Sequence, residues 1–357
     1  MLAIRRLQFI FFTILLSTVC FSQNATQLAP VPSDQLELAS GATQVPDTPQ
    51  ERTRVLNLLE RARQNGDLHA PGSAAFTLKV NFNASGNVLF TGSGEMEETW
   101  LSPLSFRWSA RLGDFELTRI SARGALFDDK AAEFIPMRLH MLRDAIFWPI
   151  NFQQAHTLVR TASANWKGKD VTCILTSGEM ADATPTPGRR WIEREYCIDQ
   201  KSGLMQVLSD APGIYVVYDY SNALQFHGRS LPGQISIVEG RRTVLEANLA
   251  ISDADANNPG LLTPMPQMRN TVGPLLSGTM RFPQIIRTAP GTSTVQPVIV
   301  HAILDRDGKV VDAELVENSD SAQSQSALDL VKRSSYGQAE RGRLQREAFI
   351  NVKFVSE

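Results

Sequence analysis

Val298-Ile-Val-His-Ala-Ile-Leu-Asp-Arg-Asp-Gly-Lys-Val-Val-Asp-Ala-Glu-Leu-Val-Glu-Asn-Ser-Asp320 decides the end of the chain. Two apolar runs with strand character flank Asp307-Gly308, the strongest short signal for a β-hairpin, because a type I′ turn needs positive φ at both central positions. Downstream, Ser321 to Arg333 predicts an amphipathic helix with Ala327, Leu328 and Val331 turned inward and Gly337 as a stop. A final strand, Ala348 to Val355, puts Phe349, Asn351, Lys353 and Val355 on one face and Ile350, Val352 and Phe354 on the other. The order is ββαβ, and it forms a small domain over residues 281–357. Just upstream, residues 253–280 carry Asn257-Asn-Pro-Gly260, Pro264, Pro266 and Pro274 without period and predict a linker.

The 357 residues suffice for two domains, and 43% hydrophobic with 20% charged content is ordinary for a globular protein. A net charge of −2, spread along the chain, gives no basis for nucleic-acid binding. Residues 1–22 read as a secretory signal, with Arg5-Arg6 ahead of an apolar run from Leu7 to Phe21 that is short for a membrane span. The alternative is an uncleaved N-terminal anchor. Val19 before Cys20 is too bulky for a lipidation signal. The expected location is the periplasm.

Residues 23–46 are polar and without period and read as a flexible leader. Thr48-Pro-Gln-Glu51 makes a capping box with Pro at the first helical position, and Gly66 supplies a stop. Val55, Leu58, Leu59 and Ala62 share one face of that helix. A long meander follows, opened by Phe76, Leu78, Val80 and Phe82 alternating with small or polar residues. A helical interlude from Lys130 to Phe147 puts Phe134, Met137, Met141 and Ala145 on one face, a candidate apolar ligand surface, and ends before Pro149.

Beyond the signal only Cys173 and Cys197 remain, in two strand-like runs about a Pro- and Gly-bearing loop. A hairpin centred on Pro185 sets them opposite each other, where a disulfide contributes about 3 kcal/mol by loop entropy. A redox-active pair would want Cys-x-x-Cys spacing.

The domain over residues 47–252 resembles the half-barrel fold of the LolA/LolB lipoprotein carriers. The resemblance is carried by its opening helix, Gly92-Ser-Gly-Glu-Met-Glu-Glu-Thr-Trp100 with Pro103 and Phe106-Arg107, Tyr196-Cys-Ile-Asp-Gln-Lys-Ser-Gly-Leu204, Tyr218-Asp-Tyr220 and Gly228-Arg-Ser-Leu-Pro-Gly-Gln-Ile-Ser-Ile237. It implies a curved antiparallel sheet closed by helices around an apolar cavity for acyl chains. The last domain resembles the TonB C-terminal family, from Phe282-Pro283 through Asp305-Arg-Asp-Gly-Lys-Val310 and Ala327-Leu328 to Phe354. Arg333-Ser-Ser-Tyr-Gly337 departs from that family's aromatic-rich segment. That resemblance implies a docking module whose strand edge pairs with an outer-membrane or other envelope protein.

No catalytic constellation is present. The five histidines lack ligand spacing, no nucleophile elbow or phosphate loop occurs, and no metal or cofactor is expected. Glu95, Glu97, Glu98, Glu193 and Glu195 fall at strand spacing and read as a solvated sheet face. The fold class expected is α+β, a half-barrel-like antiparallel sheet with helices plus a C-terminal ββαβ domain. The function expected is non-catalytic: docking through the C-terminal domain or, alternatively, carriage of a lipid.

Overall fold

A computed structural model describes residues 36, 38–39, 41, 43–86, 88–130, 135–150, 152, 157–178, 188–190, 193–255, 258, 260–271, 284–288, 298–316, 322–336 and 347–355. The segment read as a signal lies outside them. Among the described residues no helix is long and apolar enough to cross a membrane.

Helix α1 spans Pro49–Gly66 and is followed by β1 (Phe76–Ala84), β2 (Gly92–Ser102), β3 (Ser105–Leu112), β4 (Phe115–Ala122) and β5 (Ala125–Asp128). Helix α2 (Met137–Phe147) leads to β6 (Leu158–Trp166), β7 (Lys169–Ser177), β8 (Arg194–Asp199), β9 (Met205–Ala211) and β10 (Ile214–Asp219). A small hairpin, β11 (Leu224–Phe226) and β12 (Arg229–Leu231), precedes β13 (Gln234–Glu239), β14 (Arg242–Asp253) and β15 (Arg269–Thr271). The C-terminal part holds β16 (Gln284–Thr288), β17 (Val298–Leu304), β18 (Val310–Leu315), α3 (Ala322–Lys332) and β19 (Glu347–Val355).

Thirteen strands form one open antiparallel sheet in the order β15-β5-β4-β3-β2-β1-β14-β13-β10-β9-β8-β7-β6. The chain starts in the middle at β1, meanders to one edge, and crosses to the other edge through α2. It then meanders back until β14 pairs with β1, Val80 opposite Leu249. Strand β15, which adds to the edge at β5, lies inside the stretch expected to be a linker.

One face of this sheet is apolar along its length and is covered by both helices. Phe76, Leu78, Met96, Trp100, Trp108, Ile198, Ile237 and Leu249 share a core with Leu59 of α1 and Leu142 of α2. Helix α1 forms as its capping box directs: the Glu51 N–H donates to Thr48 Oγ1 at 3.2 Å, and Glu51 Oε2 accepts from the Asp47 N–H at 3.0 Å. The opposite face divides. Under β1–β4 it is wet, with Lys79 paired to Glu97 and Arg111 to Glu95. Under β6–β10 it is dry: Leu38 and Ala39 pack over Val171, Cys173, Leu175, Cys197, Val207 and Tyr215. Part of the stretch expected to be a free leader therefore docks on the sheet, and Gln44 bridges to Thr161 of the edge strand β6.

The cysteine hairpin has the expected register. Cys173 lies opposite Cys197, and the pair is joined by a disulfide.

The C-terminal sheet has the order β16-β19-β17-β18, with β16 parallel to β19. The predicted β17-β18-α3-β19 succession is present, and β16 is an addition the expected ββαβ order lacks. The Asp307-Gly308 turn is not type I′. Only Gly308 has positive φ (79°), the Gly308 N–H donates to the Asp305 carbonyl at 3.2 Å, and the strands re-pair at Leu304 and Val310. That is a type I turn closed by a left-handed glycine, and Asp305 Oδ1 fixes it by accepting from the N–H groups of Asp307 and Lys309. Glycine is required at position 308 because a Cβ there would lie 1.6 Å from the Tyr336 carbonyl oxygen.

All seven residues of β17 are buried. Val298, Val300, Ala302 and Leu304 face Ala327 and Val331 of α3, whereas Ile299 and Phe349 of β19 join the core of the large sheet. The two sheets are thus packed together and are not separate beads on a linker.

Candidate ligand-binding groove

Helix α2 lies in the trough of the large sheet, and nine of its eleven residues are buried. It begins after Pro136 and ends at Trp148, whose successor Pro149 disfavours further helix. Only His140 and Asp144 are partly exposed, and the two arginines lie on the buried sides, where they must find acids. Arg138 pairs with Glu239 at the end of β13, both fully buried. Arg143 Nη2 reaches Glu98 Oε2 of β2 at 2.6 Å, and its guanidinium lies 4.7 Å from the Trp148 ring centre and 5.6 Å from that of Trp108. The other Glu98 oxygen is 2.6 Å from His69 Nε2, whose ring stacks on Phe147 at 4.4 Å.

Burial pushes the Glu98 carboxyl up, but the charges and hydrogen bonds of Arg143 and His69 outweigh it and hold the group below the usual range. Both oxygens are engaged, so Glu98 ties α2 to the sheet and is poorly placed as a base. Glu98 also belongs to a row of cross-strand partners, Leu78, Glu98, Trp108, Arg119 and Asp128. Arg119 and Asp128 close that row as a buried pair at 2.6 Å. A narrow polar seam therefore crosses an otherwise apolar trough.

Between the two helices and the sheet remains an apolar cavity of about 30 Å³, lined by Leu68, Leu78, Ile146, Tyr218, Ile235 and Leu249 among others. It has room for a water molecule or two. Tyr218 donates from its hydroxyl to the Ala145 carbonyl at 3.0 Å, fastening the C-terminal half of α2 to β10. Asp144, on the same turn, is pushed up to about 7 by burial and by the like charge of Asp210.

Among the described residues, two groups of donors come close enough together to suggest a cation site. Cys173, Glu195 and Cys197 have both sulfurs committed to the disulfide. Glu239, His301 and Glu314 have their carboxylates already bound by Arg138 and Arg242.

No family model matches the chain, and no curated protein matches it. Solved structures do show similarity. A LolA superfamily protein, NE2245 from Nitrosomonas europaea, is 12% identical, with 56% of this chain and 91% of that chain covered and a TM-score of 0.35. A putative outer membrane lipoprotein-sorting protein domain from Vibrio parahaemolyticus is 8% identical, covering 57% and 94%, with a TM-score of 0.33. LprF from Mycobacterium bovis is 8% identical, covering 58% and 93%, with a TM-score of 0.20. All three TM-scores lie below 0.5, so the reading of this chain rests on its own geometry.

Of the residues picked from sequence as an apolar ligand face, Met137 and Met141 are buried on α2 within the core, and neither lines the cavity. Phe134 lies outside the described residues. The expectation that the glutamates form a solvated face holds for Glu95, which is exposed, and fails for Glu98, Glu193 and Glu195, which are buried. Each of the three has an arginine partner on another segment of the chain: Arg143, Arg160 and Arg189. For Glu98 a signal that could have found it is arginine inside an apolar stretch, Met137-Arg-Leu-His-Met-Leu-Arg143.

Proposed function

We propose that this protein is a non-catalytic, exported binder or carrier of a lipid or other acyl ligand, held in the trough that α2 now fills. The observation that carries this reading is α2 itself. An apolar helix buried on nearly every side, tied to the sheet by buried Arg–Glu pairs and by Tyr218, occupies a trough that a flexible apolar ligand could share once the helix shifts. Each methylene buried contributes about 0.8 kcal/mol, so an acyl chain supplies enough free energy to offset local rearrangement of one short helix. The disulfide and the signal-like residues 1–22 support export to the periplasm.

The test is binding of an environment-sensitive fluorescent fatty acid, with solvent extraction of the purified protein. Leu249→Trp, which fills the cavity, is expected to lower probe affinity at least tenfold while the thermal midpoint is kept. A wild-type protein that is empty on extraction and binds no probe sinks the proposal.

A second reading, docking of an outer-membrane or envelope partner, is favoured by one observation. Strand β18 is an outer edge of its sheet, and Val311 on it is 60% exposed.

A further inference from the structure

The joint between the two sheets is polar where it is deepest. His301 of β17 is 1% exposed, and its Nδ1 lies 3.6 Å from Glu239 Oε2 of β13. Arg138 of α2 holds the other oxygen of Glu239. Around them, Glu314 of β18 accepts from Arg242 of β14 at 3.0 Å. Glu347 of β19 accepts from the Leu89 N–H at 3.0 Å. Glu314, His301 and Phe349 are direct cross-strand partners, so this cluster occupies one face of the C-terminal sheet.

The charges decide what the cluster can take. The large sheet and α2 bring Arg138, Arg242 and Glu239, a sum of +1. The C-terminal sheet brings Glu314 and Glu347, a sum of −2 with His301 neutral. The assembled joint therefore carries −1, with Arg138, Glu239 and Glu347 buried and the Arg242–Glu314 pair at the wetter rim, and one added proton brings it to zero. A divalent cation would overshoot that balance, and the carboxylates it needs are held by Arg138 and Arg242. Neither ring nitrogen of His301 has a hydrogen-bond partner, and Glu239 Oε2 has none. The Nδ1–H tautomer of the neutral imidazole turns a donor toward that oxygen.

We infer that the C-terminal sheet is a proton-linked clamp: it seats on the N-terminal end of α2 and the β13–β14 turn with uptake of a proton by Glu347, and loosens as the pH rises. The carboxyl titrations agree in sign. Burial raises the Glu347 carboxyl, with His301 and the Leu89 N–H acting partly against it, so the seated state binds that proton more tightly than the open state. Its contribution is full below the ordinary glutamate range and is lost as pH climbs through the raised value. Glu239 runs the other way. Burial pushes it up, but the paired Arg138 guanidinium and the neighbouring imidazole of His301 prevail and bring it to about 2, so its contribution is lost only in strong acid. The clamp is therefore tightest in mild acid and weakens toward alkaline pH. This holds whether or not the trough carries a ligand.

The experiment is a pulsed electron-spin distance measurement on the full chain in a Cys20→Ser background with the native disulfide intact. Labels go at Ser93→Cys and Gln325→Cys, both exposed positions. A single short distance is expected at about pH 6, with a growing longer population at about pH 8.5, the ratio changing by up to about tenfold per pH unit for one linked proton. Glu347→Gln removes one negative charge, so this variant is expected to stay seated across that range. An identical distance distribution at both pH values in the unsubstituted joint, or a full pH response retained in Glu347→Gln, overturns the inference. The pH series alone decides it should that variant fail to fold.

Discussion

The two halves of the thirteen-stranded sheet use the same strand geometry for different ends. Strands β1 to β4 have one dry face and one wet one, and their wet face is laid out in ion pairs open to solvent, such as Lys79 with Glu97. Strands β7 to β10 are dry on both faces, because Leu38 and Ala39 cover what would otherwise be the outer surface. Burial alternates strictly along β1, whereas five of the six residues of β8 are buried. A carboxylate on the wet face of the first half costs little to place. One on the second half has to be met by a partner, and Glu195, fully buried, is met by Arg189 and by the Ala39 N–H at 3.0 Å. The docked segment around Leu38 therefore converts half of an open sheet into a layered core, and that half carries the disulfide.

Three substitutions sharpen or break this contrast. Glu195→Ala is expected to cost the most, about 3–5 kcal/mol in urea unfolding, because it leaves Arg189 buried without its carboxylate. Should the loss stay near zero, the second half is wetter than its packing implies. Replacing Cys173 and Cys197 together by Ala is expected to cost about 3 kcal/mol, read as a lower urea midpoint under non-reducing conditions. Glu97→Ala, on the wet half, is expected to move stability by no more than about 0.5 kcal/mol, and a larger loss would mean that the face is covered in solution.

Much of this architecture was legible before any coordinates. The capping box at Thr48 placed α1, and the symmetry of the cysteine runs about Pro185 fixed the β7–β8 register. Alternation marked β1, since a strand with one wet face writes its period into the sequence. What escaped has a common cause. The burial of Glu98, Glu193 and Glu195 depends on arginines 45, 33 and 6 positions away along the chain, and no local pattern announces such a pairing. Residues 36–46 carry too few apolar side chains to read as structured, yet Leu38 and Ala39 suffice where a dry sheet face awaits them. Asp307-Gly308 correctly marked a reversal but not its type, because Asp305 recruits the turn's N–H groups and shifts the left-handed position to the glycine alone. Helix α2 was visible as apolar. Its place inside the trough was not, since burial on all but the His140–Asp144 side weakens the amphipathic stripe that normally gives direction.

The double burial of β17 bears on how this protein can be dissected. A fragment starting at Val298 would keep the α3 side of its sheet and strip the other, baring Ile299, Ile303 and Phe349 between unpaired strand edges. Such a surface invites self-association, so any partner captured by the isolated fragment would be competing with other copies of the fragment itself. The smallest piece that keeps this face covered must also contain α2 and the β13–β14 turn, which bracket six of the thirteen strands of the large sheet, β6 to β10 and β13.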